Sequence, residues 1–494
     1  MSTTAIATKT RIEREPGRRV SLGRLLSVNA MWLGQGAHWP PITFSLLPAA
    51  ALMITGTTAA SALLIGRVSA AGNLFALLAP ILAGWLSDRT RSRWGRRRPW
   101  LVAGTAVNLV GLAALALAGT PLVVAIAYML VQLSFNLAGG AYAAVIPDVV
   151  PAHERGRASG MLGMMNVVGS VAGLAGVIAA LTFLGENHTG IVAGYGVVIA
   201  VLSITTIITV VAIEEPPAPA ARPEPFALSP LGVVAVAAGS IAGLAWLGFN
   251  LLPLDGWTWA IVIAGAVGVA VAVFSAARVP AMREFFAAFR NRDFFWTFAT
   301  RAFVIMGINT ILPFLALYFR DVVGVNDPGT MSGLWGLAVL AGAIVPAIVG
   351  GHFSDRLGRR KLFVYISGGA QALVASVLLF GLVQSLPVIF AMGVVFGMGY
   401  GMYYAVDWAI ACDVLPDRER SGGRDMGLWH IAFTLPTALA PAIFAPLLNA
   451  FNEPNHLVLG MATGNHLGFR LVFAGAAFWF VLGTVFVQRI RAVR

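Results

Sequence analysis

Two charged residues stand inside otherwise apolar runs of this 494-residue chain. Arg301 follows the start of a run near residue 293, and Asp407 precedes Pro416, which ends another. At about 1.5 Å of rise per residue, each lies about 13 Å from the same surface if its run is helical. A carboxylate can hold or release a proton, and a guanidinium can pair with it or hold an anion. An Arg301–Asp407 pair is therefore expected, either as working groups or as a purely structural ion pair. Asp407 shares a helical face with Tyr400, Tyr403 and Tyr404, at i−7, i−4 and i−3, and Trp408 follows it. Gln35, His38 and Trp39 have the spacing of one helix side, and Tyr128, Gln132 and Asn136 recur four apart. Asn309 adds a further amide to the run of Arg301. His38 reads equally as a packing residue or as a contact for solute or proton. Aromatic faces beside amides and hydroxyls suit sugar rings, whose CH faces stack and whose hydroxyls need partners.

A second group of charges recurs. Gly84-Trp-Leu-Ser-Asp88-Arg89 returns as Gly351-His-Phe-Ser-Asp355-Arg356, each copy after an apolar run and before a Gly-Arg-Arg cluster. Pro147-Asp148-Val-Val-Pro151 returns as Cys412-Asp413-Val-Leu-Pro416 at a similar offset. Arginine presents a planar, permanently charged fork that pairs carboxylates bidentately. Asp88, Arg89, Arg96, Arg97 and Asp148, with Asp355, Arg356, Arg359, Arg360 and Asp413, are thus candidates for a latch. Such a latch would hold neighbouring helices in one conformation and release them in another.

The elements that carry these groups follow from composition. Only 11% of residues are charged while 58% are hydrophobic, against roughly 25% charged in soluble domains. Such a chain must face lipid, which excludes a soluble enzyme, a nucleic-acid binder and a disordered scaffold. The net charge of +12 sits in short loops between apolar runs, where topology explains it. One cysteine, Cys412, excludes a disulfide framework or a cysteine-based metal site.

Apolar runs predict helices near 28–50, 59–86, 100–118, 121–146, 160–184 and 191–213. A proline-rich break follows over EEPPAPAARPEPFALSP. Two further spans are expected near 230–252 and 257–277, then a basic amphipathic stretch lying on the membrane surface. Six more fall near 293–319, 329–351, 362–382, 386–412, 425–448 and 468–488, making fourteen. The expected organisation is a cytoplasmic tail (1–24), a six-helix bundle (25–215), a central segment with the extra pair (216–290) and a second six-helix bundle (291–494). By the positive-inside rule both termini and all arginine-rich loops are cytoplasmic. Small-residue rows on the fifth helix (Gly169, Gly173, Gly176) and the tenth (Gly393, Gly397, Gly401) predict close helix packing.

Two parallel repeats point to a carrier with its site between the halves. The ungapped run from Gly351 to Lys361 resembles the signature loop of the major facilitator superfamily. The longer first copy, Asp88-Arg-Thr-Arg-Ser-Arg-Trp-Gly-Arg-Arg-Arg-Pro99, resembles that of the sucrose-type and glycoside–pentoside–hexuronide carriers. The resemblance covers both six-helix halves and not the central pair. It implies an all-α membrane protein of two six-helix bundles related by a pseudo-two-fold axis, here with a central extra helix pair. It further implies alternating access around a cavity lined by the first, fourth, seventh and tenth helices of the resembled fold.

The expected activity is proton-coupled symport of a small organic solute, a sugar or glycoside. A proton-antiport exporter of drugs or metabolites and an uncoupled facilitator are the alternatives. The Gly-Pro step typical of the antiporters' fifth helix is absent. The resembled sugar carriers use acidic residues in the second or fourth helix. This chain has Asn73 and Asn136 in those helices, with no acid there in mid-membrane, which argues against sodium coupling of the melibiose kind. No Walker A motif is present, and no clustered catalytic groups point to an enzyme. The expected partners are the small-molecule substrate, protons and the lipid bilayer of a bacterial plasma (inner) membrane. No nucleic acid, metal or cofactor is expected, and the chain is expected to be a monomer.

Overall fold

The computed structural model describes residues 20–143, 145–151, 154–215, 286–357, 359–414, 422–452, 457–458, 461–462 and 466–492. Within them the chain forms α1 (Leu22–Thr55), α2 (Thr58–Arg89), α3 (Arg98–Ala116), α4 (Pro121–Ala143), α5 (Arg155–Leu184) and α6 (His188–Ala212). The second half contains α7 (Arg292–Val323), α8 (Pro328–Leu357), α9 (Arg360–Gly381), α10 (Leu386–Val414), α11 (Gly422–Asn452) and α12 (Leu467–Phe486). Eleven of these carry windows long and apolar enough to cross a membrane, and α2, at 32 residues, is the twelfth long helix. The extra pair expected at 230–252 and 257–277 lies outside the described residues. Of the basic stretch before α7, the described part is a short 3-10 turn, Phe286–Arg290. The all-α expectation holds apart from a two-residue hairpin, Leu457–Val458 against Met461–Ala462, before α12.

Local chemistry sets the ends. Side-chain oxygens of Ser21, Thr57, Asn187 and Asn291 accept from backbone N–H groups in the first turns of α1, α2, α6 and α7, which would otherwise be orphaned. The two halves also share irregularities. In α1 the helix turns at Ala37–His38, before Pro40 and Pro41, and continues through a π-helical stretch, Ile42–Leu46. In α7 a 3-10 turn containing Pro313 interrupts the helix, and a π-helical stretch, Phe319–Val323, ends it. Proline supplies no N–H and blocks the turn before it. Each helix stops at a glycine of positive φ, Gly56 at 72° and Gly324 at 79°, a conformation that side chains disfavour.

Packing repeats with the same symmetry. In the first half α1 packs on α5 and α6, α2 on α4, and α3 on α4 and α6. In the second half α7 packs on α11 and α12, α8 on α10, and α9 on α10 and α12. Between halves the equivalent pairs exchange partners, α2 against α11 and α5 against α8. Glycines permit the closest of these approaches. A Cβ at Gly397 or Gly401 would collide with the Val339 or Ala343 carbonyl of α8, and one at Gly169 with the Leu33 carbonyl of α1. The small-residue rows therefore act as expected. The outer faces of α3, α6, α8 and α9 present exposed Val110, Val211, Ile348 and Phe380, the inverse of a soluble protein and the surface that lipid requires.

Candidate functional site

Between the two halves lies a cavity of ≈ 270 Å³, near the lower end of small-molecule pockets. From the first half come Trp39 and Thr43 of α1, Ser69 and Asn73 of α2, and Tyr128, Gln132 and Asn136 of α4. The second half adds Asn309 and Pro313 of α7 and Phe433, Thr434, Thr437 and Pro441 of α11. The helical breaks described above bring Trp39 and Pro313 into this wall. No charged side chain of the described residues lines it.

The amides form a chain. Gln132 Nε2 donates to Asn73 Oδ1 at 3.1 Å and to the Tyr128 hydroxyl at 3.2 Å. Asn136 Nδ2 donates to the Gln132 carbonyl at 2.8 Å and to its Oε1 at 3.3 Å. Asn309 Nδ2 donates to the Ile305 carbonyl at 2.9 Å, which leaves its oxygen to accept. One bond crosses the halves: Asn73 Nδ2 donates to the Thr437 carbonyl at 3.2 Å. That carbonyl would normally accept from the N–H four residues on, but residue 441 is proline and has none. The Trp39 and Tyr128 rings stand 6.0 Å apart, edge to face. Together these groups offer hydroxyl-scale donors and acceptors beside aromatic faces.

Arg301 and Asp407 meet behind this wall. The guanidinium donates to Asp407 Oδ2, and the Tyr403 hydroxyl donates to Oδ1 at 3.0 Å. Both charged side chains are buried. The guanidinium carbon lies 3.5 Å from the centre of the Trp429 ring and 5.6 Å from that of Phe433. A cation–π contact of this kind is worth on the order of 2 kcal/mol when water is excluded. Phe433 thus lines the cavity on one side and faces the Arg301 guanidinium on the other.

Other expected residues are distributed differently. Tyr128, Gln132, Asn136, Asn309 and Trp39 line the cavity, whereas Gln35, His38, Tyr400, Tyr403 and Tyr404 do not. His38 is fully buried, its ring 4.5 Å from Phe135 and 4.7 Å from Trp39. The helix turns at Ala37–His38, and of Gln35, His38 and Trp39 only Trp39 lines the cavity. Tyr400 and Tyr404 pack ring to ring at 4.6 Å. Trp408, Asp88, Arg89 and Asp355 fall outside the residues whose side chains are described. Ser69, Asn73, Thr434, Thr437 and Phe433 escaped sequence reasoning as cavity groups. Three prolines within α11, Pro436, Pro441 and Pro446, were the available signal, since backbone freed by proline inside a membrane must find partners.

At the arginine-rich end, Asp148 accepts from Arg96 Nη2 at 2.6 Å and from Arg97 Nε at 3.0 Å. In the second half Arg360 pairs with Asp413 at 2.8 Å, while Arg356 and Arg359 are exposed. Glu215, which the sequence reading passed over, accepts from the backbone N–H groups of Arg96, Arg97 and Arg98 at 2.6, 2.8 and 2.7 Å. The residues just after α6 thereby hold the start of α3, beside the Arg96 and Arg97 contacts to Asp148.

Two pseudo-symmetric six-helix bundles around a shared polar cavity are the architecture of a membrane transporter, and no catalytic constellation occurs among the described residues. Residues 41–441 match the Major Facilitator Superfamily, and the chain belongs to that family. It is 25% identical to the uncharacterized symporter sll1374 of Synechocystis, with 81% of each chain covered. The fold is similar to a bacterial homolog of the human lysosomal transporter Spinster (TM-score 0.64, 15% identity, 96% of this chain and 98% of that one). It is likewise similar to the POT family transporter PepTSo (TM-score 0.65, 13% identity, 96% and 99% covered).

Proposed function

We propose that this chain carries a small, neutral, hydroxyl-rich solute, a sugar or glycoside, in symport with a proton. The observation that carries the reading is the uncharged cavity of amides, hydroxyls and aromatic rings. A peptide or an organic ion would leave its charges unpaired there, at a cost of several kcal/mol each. Asp407 is the proton site, with Arg301 and Tyr403 holding it and Phe433 relaying solute contact to the pair. The arginine-rich end faces the cytoplasm of a bacterial cell, and the loop networks at Asp148 and Asp413 latch that end during each cycle. The related Synechocystis protein is named a symporter, which supports coupling to an ion.

One observation favours an uncoupled facilitator as the second reading: Asp407 is already neutralised by Arg301 and stands outside the cavity. Proteoliposomes distinguish the two. With a labelled sugar panel and an imposed pH gradient, symport accumulates one sugar above its external concentration, while a facilitator only equilibrates it. Transport of charged solutes alone would overturn the neutral-solute assignment.

A further inference from the structure

At the end opposite the arginine-rich loops, the halves are joined by hydrogen bonds from one to the other. The hydroxyl of Thr58 donates to Asp321 Oδ1 at 2.8 Å, and Arg320 Nη2 donates to the Gly56 carbonyl at 3.1 Å. The third join is of another kind. Glu186, in the short connection between α5 and α6, reaches the first turn of α8. Its Oε2 accepts from the Gly329 N–H at 3.0 Å, and its Oε1 accepts from the Thr330 N–H. Those N–H groups are orphans of a 30-residue helix and carry the positive end of its dipole. The acceptor belongs to one half and the helix to the other.

We propose that Glu186 is a proton-binding clasp that holds the two halves closed at this end. Charged groups near it are few. Asp327 precedes α8, Arg320 at the end of α7 lines the same ≈ 460 Å³ cleft, and His188 is exposed at the start of α6. Beneath the clasp the seam is tight: a Cβ at Gly333 of α8 would strike the Ser45 hydroxyl of α1. Ser45 is fully buried, so reagents reach it only when the seam parts.

The direction of proton movement follows from linkage. Burial pushes the Glu186 carboxyl above the ordinary glutamate value, against the opposing pull of the hydrogen bonds from Thr330 and Gly329, and Asp327 adds to the rise. Opening returns the carboxyl to water and to its ordinary value. The closed form is therefore the better proton binder, and closing takes up a proton while opening releases one. Between the ordinary and the raised value, acidifying this face favours closure. A protonated carboxyl still accepts from one N–H, so the clasp survives neutralisation.

The inference rests on the alternating-access reading, and one experiment separates the two. Ser45→Cys in a Cys412→Ser background reports seam opening through its labelling rate with an impermeant maleimide in right-side-out vesicles. Glu186→Ala should raise that rate about ten-fold, the effect of losing hydrogen bonds to a charged group. With Glu186 intact, the labelling rate divided by that of Glu186→Ala at the same pH should fall as the pH of this face falls. This ratio is the pH response, and it cancels the thiol's own ionisation. Glu186→Gln keeps an acceptor without a titrating group, so it should label slowly and lose the pH response. Equal labelling of Glu186→Ala and the parent would overturn the clasp, and an intact pH response in Glu186→Gln would overturn its proton-binding role. Sugar uptake in the same vesicles tests the carrier reading apart: if it is absent while the Glu186 signature is present, the clasp stands and the solute assignment falls.

Discussion

Arg301 and Asp407 are each tolerable inside the membrane only because the other is there. Removing one partner of a buried pair costs about 3–5 kcal/mol, so Arg301→Ala and Asp407→Ala should each abolish transport and lower thermal stability in detergent. Recovery of both by the double replacement would make the pair structural. If Asp407 carries the proton, the double variant should fold, exchange solute and fail to accumulate it. pH-driven accumulation surviving in Asp407→Asn would remove Asp407 from coupling. This pair was legible in the sequence because a charge in an apolar run costs on the order of 2.5–3.5 kcal/mol and demands a reason. Asn73, Thr434 and Thr437 were not, because uncharged polar residues in a span are cheap and their orientation depends on helices distant in sequence. His38, open in the sequence to packing or to solute or proton contact, lies buried against the rings of Phe135 and Trp39.

At the scale of helices, close packing and end-to-end fastening are separate devices. Gly397 lies where α10 meets the backbone of α8. Gly397→Val should cost about 1–3 kcal/mol or more through overpacking, seen as a lower melting temperature and less monodisperse protein. An unchanged melting temperature would mean that the two helices can part locally. The Asp148 carboxylate holds Arg96 and Arg97, and Glu215 holds their backbone. Asp148→Asn should therefore slow turnover far more than it weakens solute binding, measured as maximal rate against half-saturation. Normal turnover in Asp148→Asn and in Asp413→Asn would leave these loops a topological role only. The recurrence of Asp and Arg was visible in both repeats. Their partner at Glu215 was not, because a carboxylate that caps a helix through backbone N–H groups needs no particular side chain opposite it.

For the whole molecule, duplication is the organising fact, and the spacing of the repeated motifs alone shows it. A break at Pro40-Pro41 is legible in the sequence, but its match in α7 is not, since Pro40-Pro41 and Pro313 stand in unlike sequence. The central segment offers its own test. Asp255→Cys in the Cys412→Ser background should label from outside the cell, and labelling only from within would remove the extra helix pair from 230–277. The exchange of α2 and α11 between halves has one further result at the Thr437 carbonyl, which Pro441 deprives of its usual donor. While the halves are together, Asn73 supplies that donor. If α2 draws away as the proposed cycle requires, the oxygen must be satisfied by whatever the cavity then holds, water or a hydroxyl of the proposed cargo. On that reading the cargo and Asn73 compete for the same atom, and a bound hydroxyl there would spare the carrier an unpaired carbonyl during its stroke.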